Sequence, residues 1–206
     1  IKANLVIAAD GIESRLGRKA GIKTQVKMKD MASGIEYFLD DIDIDSDALD
    51  MYVGSEEAPG GYLWIFPKSN NSANIGLAIS GKYSPHKSAE KYLNEFIEKR
   101  FSKTKIKKKL TGGIPVTRPI EKPIKNGLIL VGDAARHINP LTGGGIASAM
   151  KAGMYAGKVS SSIIDDPSEE RMSPYIKFIN DDFIKRHKIL YKIKEAVSKL
   201  SDSDFD

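Results

Sequence analysis

Residues 128–157 read LILVGDAARHINPLTGGGIASAMKAGMYAG, and the rest of the chain is organised around them. The apolar run 128–131 meets Gly132 and Asp133, followed by a polar loop with His137, Asn139 and Pro140. Three glycines stand at 143–145, and Ile146 opens a series of small residues with helical character. This is a strand, an acidic turn, a glycine-rich loop and a helix. Such an order aims backbone N–H groups and the positive end of a helix at something electron-rich. Asp133 can accept hydrogen bonds from hydroxyls, and the glycines let a planar or phosphorylated group, such as a flavin, approach bare backbone.

Working upstream, residues 4–9 (NLVIAA) form a continuous apolar run of the kind buried on both faces of a parallel sheet. Asp10-Gly11 ends it, and residues 12–21 read as a short helix. Acid and glycine after a buried strand suit a ligand at the carboxyl edge of an α/β sheet, although an ordinary strand-to-helix turn has the same look. From about residue 22 the period changes. Ile35, Tyr37 and Leu39 alternate with polar residues, as do Leu49, Met51 and Val53, which predicts two half-buried strands. Between them DDIDIDSD (40–47) lacks the glycine and glutamate of a calcium loop, and a solvated hairpin is expected.

GYLWIFPK (61–68) puts Tyr62, Trp64 and Phe66 on one face of a strand and Leu63 and Ile65 on the other. Periodicity alone reads these aromatics as core. Asn70-Asn71 turns the chain into a partner strand carrying Ile75, Leu77 and Ile79, so an antiparallel meander is predicted. A helix is predicted over 84–101, with Ser84-Pro85 as cap and first turn. Residues 103–110 read as a basic strand ended by Gly112-Gly113-Ile114-Pro115, and Arg118 lies in an exposed loop beyond it. Pro167 breaks the helix that starts at Ile146. From about Pro174 a long amphipathic helix repeats Ile176, Phe183, Leu190 and Val197 seven apart, with Ile179, Ile193 and Leu200 between. Packing on its own domain, a coiled-coil partner and a membrane surface all fit that pattern.

Composition narrows the function classes. With no cysteine there is no disulfide, thiolate metal site or cysteine nucleophile. His86, His137 and His187 are never at ligand spacing, so no metal is expected. The net charge of +5 comes largely from lysines at 103–109 and 177–199. Without aromatic interleaving or a nucleic-acid motif they predict no nucleic-acid partner, while an anionic membrane surface remains open. No apolar run approaches the roughly 20 residues of a membrane-spanning helix. The chain opens on Ile, not Met, already heading into a strand, and is expected to be a fragment of a longer polypeptide.

Taken in order, Ala9-Asp10-Gly11, GYLWIFPK at 61–68, GGIPVTRP at 112–119 and GLILVGDAARHINPLTGGGIASAMKAG at 127–153 resemble the geranylgeranyl reductase family of FAD-dependent enzymes, especially the archaeal lipid reductases. The Asp-Gly and Gly-Asp elements are shared with the wider hydroxylase-type flavoproteins. The aromatic, Gly-Ile-Pro and Gly-Gly-Gly-Ile elements narrow the match. The family's opening strand–GxGxxG–helix is absent. The resemblance therefore implies an α/β fold, α+β overall: the later half of an FAD-binding Rossmann-like domain with an inserted antiparallel substrate domain. It divides the chain into 1–21 and 113–166 for the cofactor domain, 22–112 for the substrate domain and 167–206 for a carboxyl-terminal amphipathic helix.

By the same resemblance Ala9, Asp10 and Gly11 would lie near the adenosine or pyrophosphate side of FAD. Asp133 would bond the ribityl hydroxyls, and Gly144, Gly145 and Ile146 would offer backbone to the flavin ring. Tyr62, Trp64 and Phe66 would line the substrate chamber. The resemblance names no catalytic acid; His137 is expected to bond backbone rather than donate a proton. It implies saturation of geranylgeranyl chains, an external electron donor, and a cytoplasmic enzyme in peripheral contact with the cell membrane. A flavin monooxygenase or halogenase on the same scaffold, and a non-catalytic lipid- or partner-binding fragment, are the competing readings.

Overall fold

The computed structural model describes residues 2–101 and 103–204. In chain order the first elements are strand β1 (Val6–Ala8), helix α1 (Arg15–Lys19), β2 (Ala32–Asp40), β3 (Asp50–Tyr52), β4 (Tyr62–Ser69) and β5 (Ser72–Ser80). Helix α2 (Ala89–Arg100), β6 (Lys105–Ile114), β7 (Ile124–Lys125) and β8 (Leu128–Leu130) follow. The remainder is helical: α3 (Ile146–Ile163), α4 (Ser173–Ile179), a π-helical turn at Asn180–Ile184 and α5 (Lys185–Val197). Two compact units result, Ile1–Lys27 with Pro115–Val197 and Met28–Ile114 with Ser198–Asp206.

In the first unit β1 pairs parallel with β8, which pairs antiparallel with β7. Leu130 and Ile129 are fully buried, and Ala152, Ala156 and Val159 of α3 join the same apolar clusters as Tyr175 and Ile179 of α4. Alanines on α3 let the helix sit close to the strand and to α4. The Tyr175 hydroxyl, deep in this core, donates to the Leu130 carbonyl at 2.8 Å, which satisfies a polar group that would otherwise be costly to bury. Strand β1 departs from expectation. Val6 is 39% and Ile7 38% exposed, and only Ala8 is buried. Its apolar run does mark a strand, but β8 is its only paired neighbour among the described residues.

The amphipathic carboxyl-terminal pattern also resolves differently. Tyr175, Ile179, Phe183, His187 and Tyr191 are buried at a four-residue spacing, with Ile184 buried beside Phe183, whereas Val197, Ile193 and Leu200 of the sevenfold series are exposed. A four-residue repeat drifts against an α-helix of 3.6 residues per turn. The wider turn at Asn180–Ile184 takes up part of that drift and buries Phe183 and Ile184 together. Of the coiled-coil seam only Ile179 and Phe183 are fully buried, so seam and buried face coincide just around the π-helical turn.

The second unit is a five-stranded antiparallel sheet of order β3-β4-β5-β2-β6. Alternation puts Ile35, Tyr37, Leu39, Leu63, Ile65, Ile75, Leu77 and Ile79 on one face, where Ala89, Leu93 and Ile97 of α2 cover them. The opposite face carries Tyr62, Trp64 and Phe66, beside Asn74 and Gly76 of β5 and Glu36 of β2. The aromatics are thus not the core; the intervening aliphatics are. β6 has the longest run of exposed positions and forms one edge.

Four local expectations are corrected here. Residues 40–47 are no solvated hairpin: Ile42 is buried, its N–H donating to the Asn71 carbonyl, and Ile44 packs against the core. The alternating Leu49, Met51 and Val53 are exposed, since β3 ends the sheet. Helix α2 starts later than predicted because Ser88, not Ser84, accepts from the Lys91 N–H. β6 runs through Gly112-Gly113, held by its register with Gly34 and Ser33, until Pro115 stops it.

Candidate functional site

Parallel pairing of Ala8 with Leu130 brings the ends of β1 and β8 to one edge of the first unit's sheet, so Ala9, Asp10 and Gly11 lie at the same edge as Gly132 and Asp133. Asp10 already has a structural partner, its Oδ2 accepting from the Leu16 N–H at 2.9 Å, which ties down the start of α1. At Gly132 the backbone takes φ +61°, a left-handed conformation that turns the strand sharply into a 3₁₀ turn containing Asp133.

The loop beyond is held by its own polar groups. Asn139 Oδ1 accepts from the N–H groups of Leu141 and Thr142, and the Asn139 N–H donates to the Gly144 carbonyl. Arg136, buried with left-handed backbone, donates to the Thr24 carbonyl and moors the loop to the first part of the chain. The glycine run then reaches α3, whose N-cap is Gly145 and which has no side-chain cap. A Cβ on Gly145 would stand 3.3 Å from Asp133 Oδ1, so carboxylate and helix start are neighbours. Burial pushes the Asp133 carboxyl above its ordinary pKa. Asp133, Gly144, Gly145 and Ile146 therefore gather around one uncapped helix N-terminus that can take an electron-rich group.

His137 does not behave as expected. It is fully buried, neither ring nitrogen has a hydrogen-bond partner, and the ring stacks on Phe183 at 4.9 Å between centroids. Burial drives its pKa down from 6.5 to about 3, with His187 adding repulsion. Packing against the π-helical turn, rather than a bond to backbone, holds it. Arg118 stacks over Tyr191 at 4.8 Å.

In the second unit Tyr62, Trp64 and Phe66 form a continuous aromatic row, with centroids 5.7 Å and 6.1 Å apart. Trp64 is clamped. Its Nε1–H donates to Glu36 Oε2 at 3.0 Å, and Asn74 Nδ2 donates to the other oxygen at 3.3 Å. Glu36 is a residue that sequence reading missed: its place in an alternating strand marks it as polar and outward, and only the sheet register brings it to Trp64.

Comparison with known proteins now places the chain. Residues 30–114 match the geranylgeranyl reductase catalytic domain. Over its whole length the chain is 43% identical to digeranylgeranylglycerophospholipid reductase 1 of Methanococcoides burtonii, covering 51% of that protein. It is 46% identical to the digeranylgeranylglycerophospholipid reductase of Methanoculleus marisnigri over 85% of the chain and 45% of that protein. A geranylgeranyl bacteriochlorophyll reductase-like crystal structure from Thermoplasma acidophilum superposes with TM-score 0.93 at 40% identity, covering all of this chain and 53% of that one. The flavin-dependent brominase Bmp2 shares the fold at TM-score 0.68 and 17% identity, over 87% of this chain and 48% of its own. The fold is thus that of the mixed α/β flavoproteins. Within it the chain is similar over its whole length to the geranylgeranyl reductases, with residues 30–114 matching their catalytic domain, and it spans about half the length of the curated relatives it matches.

Proposed function

We propose that the full-length protein saturates carbon–carbon double bonds in the geranylgeranyl chains of membrane lipids, using reduced FAD. The observation that carries this reading is the open aromatic face of the sheet, which lies within residues matching the geranylgeranyl reductase catalytic domain. A row of three rings offers an isoprenoid chain a long, flat apolar contact.

The residues of the first unit fit a flavin. Asp133 is half-buried, adjoins the bare start of α3 and is free of any side-chain cap geometry, so its carboxylate can accept from hydroxyls. Backbone N–H groups at Gly145 and Ile146, with the dipole of an 18-residue helix behind them, favour negative charge beside them. When bound, the reduced flavin supplies hydride; orientation and exclusion of water fall to the protein. Ala9, Asp10 and Gly11 are assigned to the nucleotide side of the same cofactor. Tyr62, Trp64 and Phe66 are assigned to the lipid.

The test is anaerobic incubation of chemically reduced full-length protein with a geranylgeranyl glycerophospholipid, followed by mass spectrometry. Gain of one H₂ per double bond is expected. Turnover that requires oxygen, or a preparation that takes up no flavin, overturns the reading. Asp133→Ala in the same protein should weaken FAD binding about 10- to 100-fold, the cost of one charge-assisted hydrogen bond, read as lost 450-nm absorbance after gel filtration.

Peripheral membrane contact is part of the proposal. No helix among the described residues is long and apolar enough to cross a membrane. Exposed lysines at 105 and 107–109 line the outer edge of the sheet, although Lys107 and Lys109 are partly neutralised by Asp40 and Glu90. Liposome sedimentation should show binding to anionic vesicles that fades as salt rises; no binding at low salt would contradict it.

A further inference from the structure

The open face of the second unit holds one feature that an apolar lipid surface does not need, a carboxylate near its middle. Sheet register sets Trp64 of β4 beside Gly76 of β5, and Gly76 beside Glu36 of β2. The three positions form a row across three strands. A Cβ on Gly76 would lie 2.5 Å from Trp64 Cζ2 and 2.7 Å from Cε2, so the indole lies over the glycine and occupies the space of its missing side chain. It spans β5 and ends with its N–H on Glu36 Oε2, 3.0 Å away. Glu36 Oε1 in turn accepts from Asn74 Nδ2 at 3.3 Å, while Asn74 Oδ1 is buried without a hydrogen-bond partner. The amide is therefore held by the carboxylate alone, in the sense that donates toward it.

We propose that Glu36 is a positioning residue of the lipid-binding face: it pins the Trp64 indole across Gly76, and the pinned ring sets how tightly an isoprenoid chain is held. The proposal rests on the assignment of the aromatic row to the lipid. Its physical basis is preorganisation. An unpinned indole samples other staggered rotamers, which breaks the row with Tyr62 and Phe66, and a lipid must then pay to order it. With both carboxylate oxygens engaged, Glu36 can lie beside an apolar ligand without stranding an unmet acceptor. A ring that spans a glycine also leaves a smoother floor than two facing side chains would. Glu36 touches the ring and acts through it, not on the reacting carbons.

Trp64 is the only tryptophan in these 206 residues, and the difference spectrum between the parent and Trp64→Phe isolates its emission in the full-length protein. Glu36→Leu should move that emission to the red and lower its anisotropy. In the anaerobic reductase assay the same variant should raise KM for the lipid about fivefold while kcat holds, the signature of lost uniform binding. Glu36→Gln keeps an acceptor for the indole N–H and should restore both readouts. If Glu36→Leu does not fold, Asn74→Ala decides, with a smaller change in the same direction. Unmoved emission in Glu36→Leu, or a Glu36→Gln variant that behaves as Leu does, overturns the positioning role alone. Emission that moves while neither Glu36→Leu nor Trp64→Ala alters KM overturns the assignment of this face to the lipid, and the positioning role with it.

Discussion

Truncating Leu93 to Ala lowers the stability of the sheet-bearing unit by about 2–5 kcal/mol, the range for deleting a large aliphatic side chain from a packed core. Leu93 is fully buried and lies in α2, which covers the inner face, in one apolar cluster with Ile35, Leu63, Ile75 and Leu77. All of these sit on sheet strands, whose mutual hydrogen bonds resist collapse into the space left behind, which favours the upper part of the range. Trp64 belongs to the same unit, so its emission follows this unit's unfolding in urea. The expected result is a lower midpoint with an unchanged slope. A midpoint like that of the parent would mean that α2 is not anchored through Leu93.

The second large effect is on pH. His137 has its pKa pushed down from 6.5 to about 3 by burial, so it stays neutral in the folded chain where the unfolded chain would take up a proton. The unfolded state therefore binds more protons between those values, and stability rises with pH across the window. The contribution is complete above about pH 6.5 and is lost progressively as pH falls toward 3, reaching about 2 kcal/mol of loss by pH 5. The protonated ring would have no acceptor on either nitrogen and would face His187 across Phe183. Thermal melts from pH 7 to pH 5, followed by far-UV circular dichroism, should show His137→Phe melting with a shallower pH dependence than the parent. Equal slopes in the two proteins would exclude the buried imidazole as their source.

Much of this architecture was legible in the chain because it depends on local periodicity. Alternation in β2 and β5 sorted inner from outer residues, in β4 it separated the two faces but read the aromatic one as core, and the order strand, Gly132-Asp133, glycines, helix gave the gathering of Asp133 with Gly145. Where the pattern misled, the deciding partner was distant in sequence. An apolar strand such as β1 is buried only if something covers it, and nothing in NLVIAA says what does. The sevenfold series after Pro174 is real as spelling, but one π-helical turn re-indexes every residue beyond it. Ser84-Pro85 and Ser88 are both sound helix starts, and the choice between them belongs to the packing of Ala89. Glu36 is the clearest case. The meeting of its carboxylate with the Trp64 indole is set by register across three strands, which no run of neighbouring residues encodes.

The lysine-bearing strand β6 has one more consequence. As the last strand of its sheet it has an outer row of backbone donors and acceptors with no strand partner among the described residues, and Lys105, Lys107, Lys108 and Lys109 stand along that margin. Strands of this kind recruit one another unless charge intervenes. Under the proposed membrane contact, the protein would be crowded into a layer, where neighbouring copies meet edge-on far more often than in free solution. Positive charge along the margin would then serve two ends at once, attracting an anionic surface and keeping adjacent copies from zipping into a shared sheet.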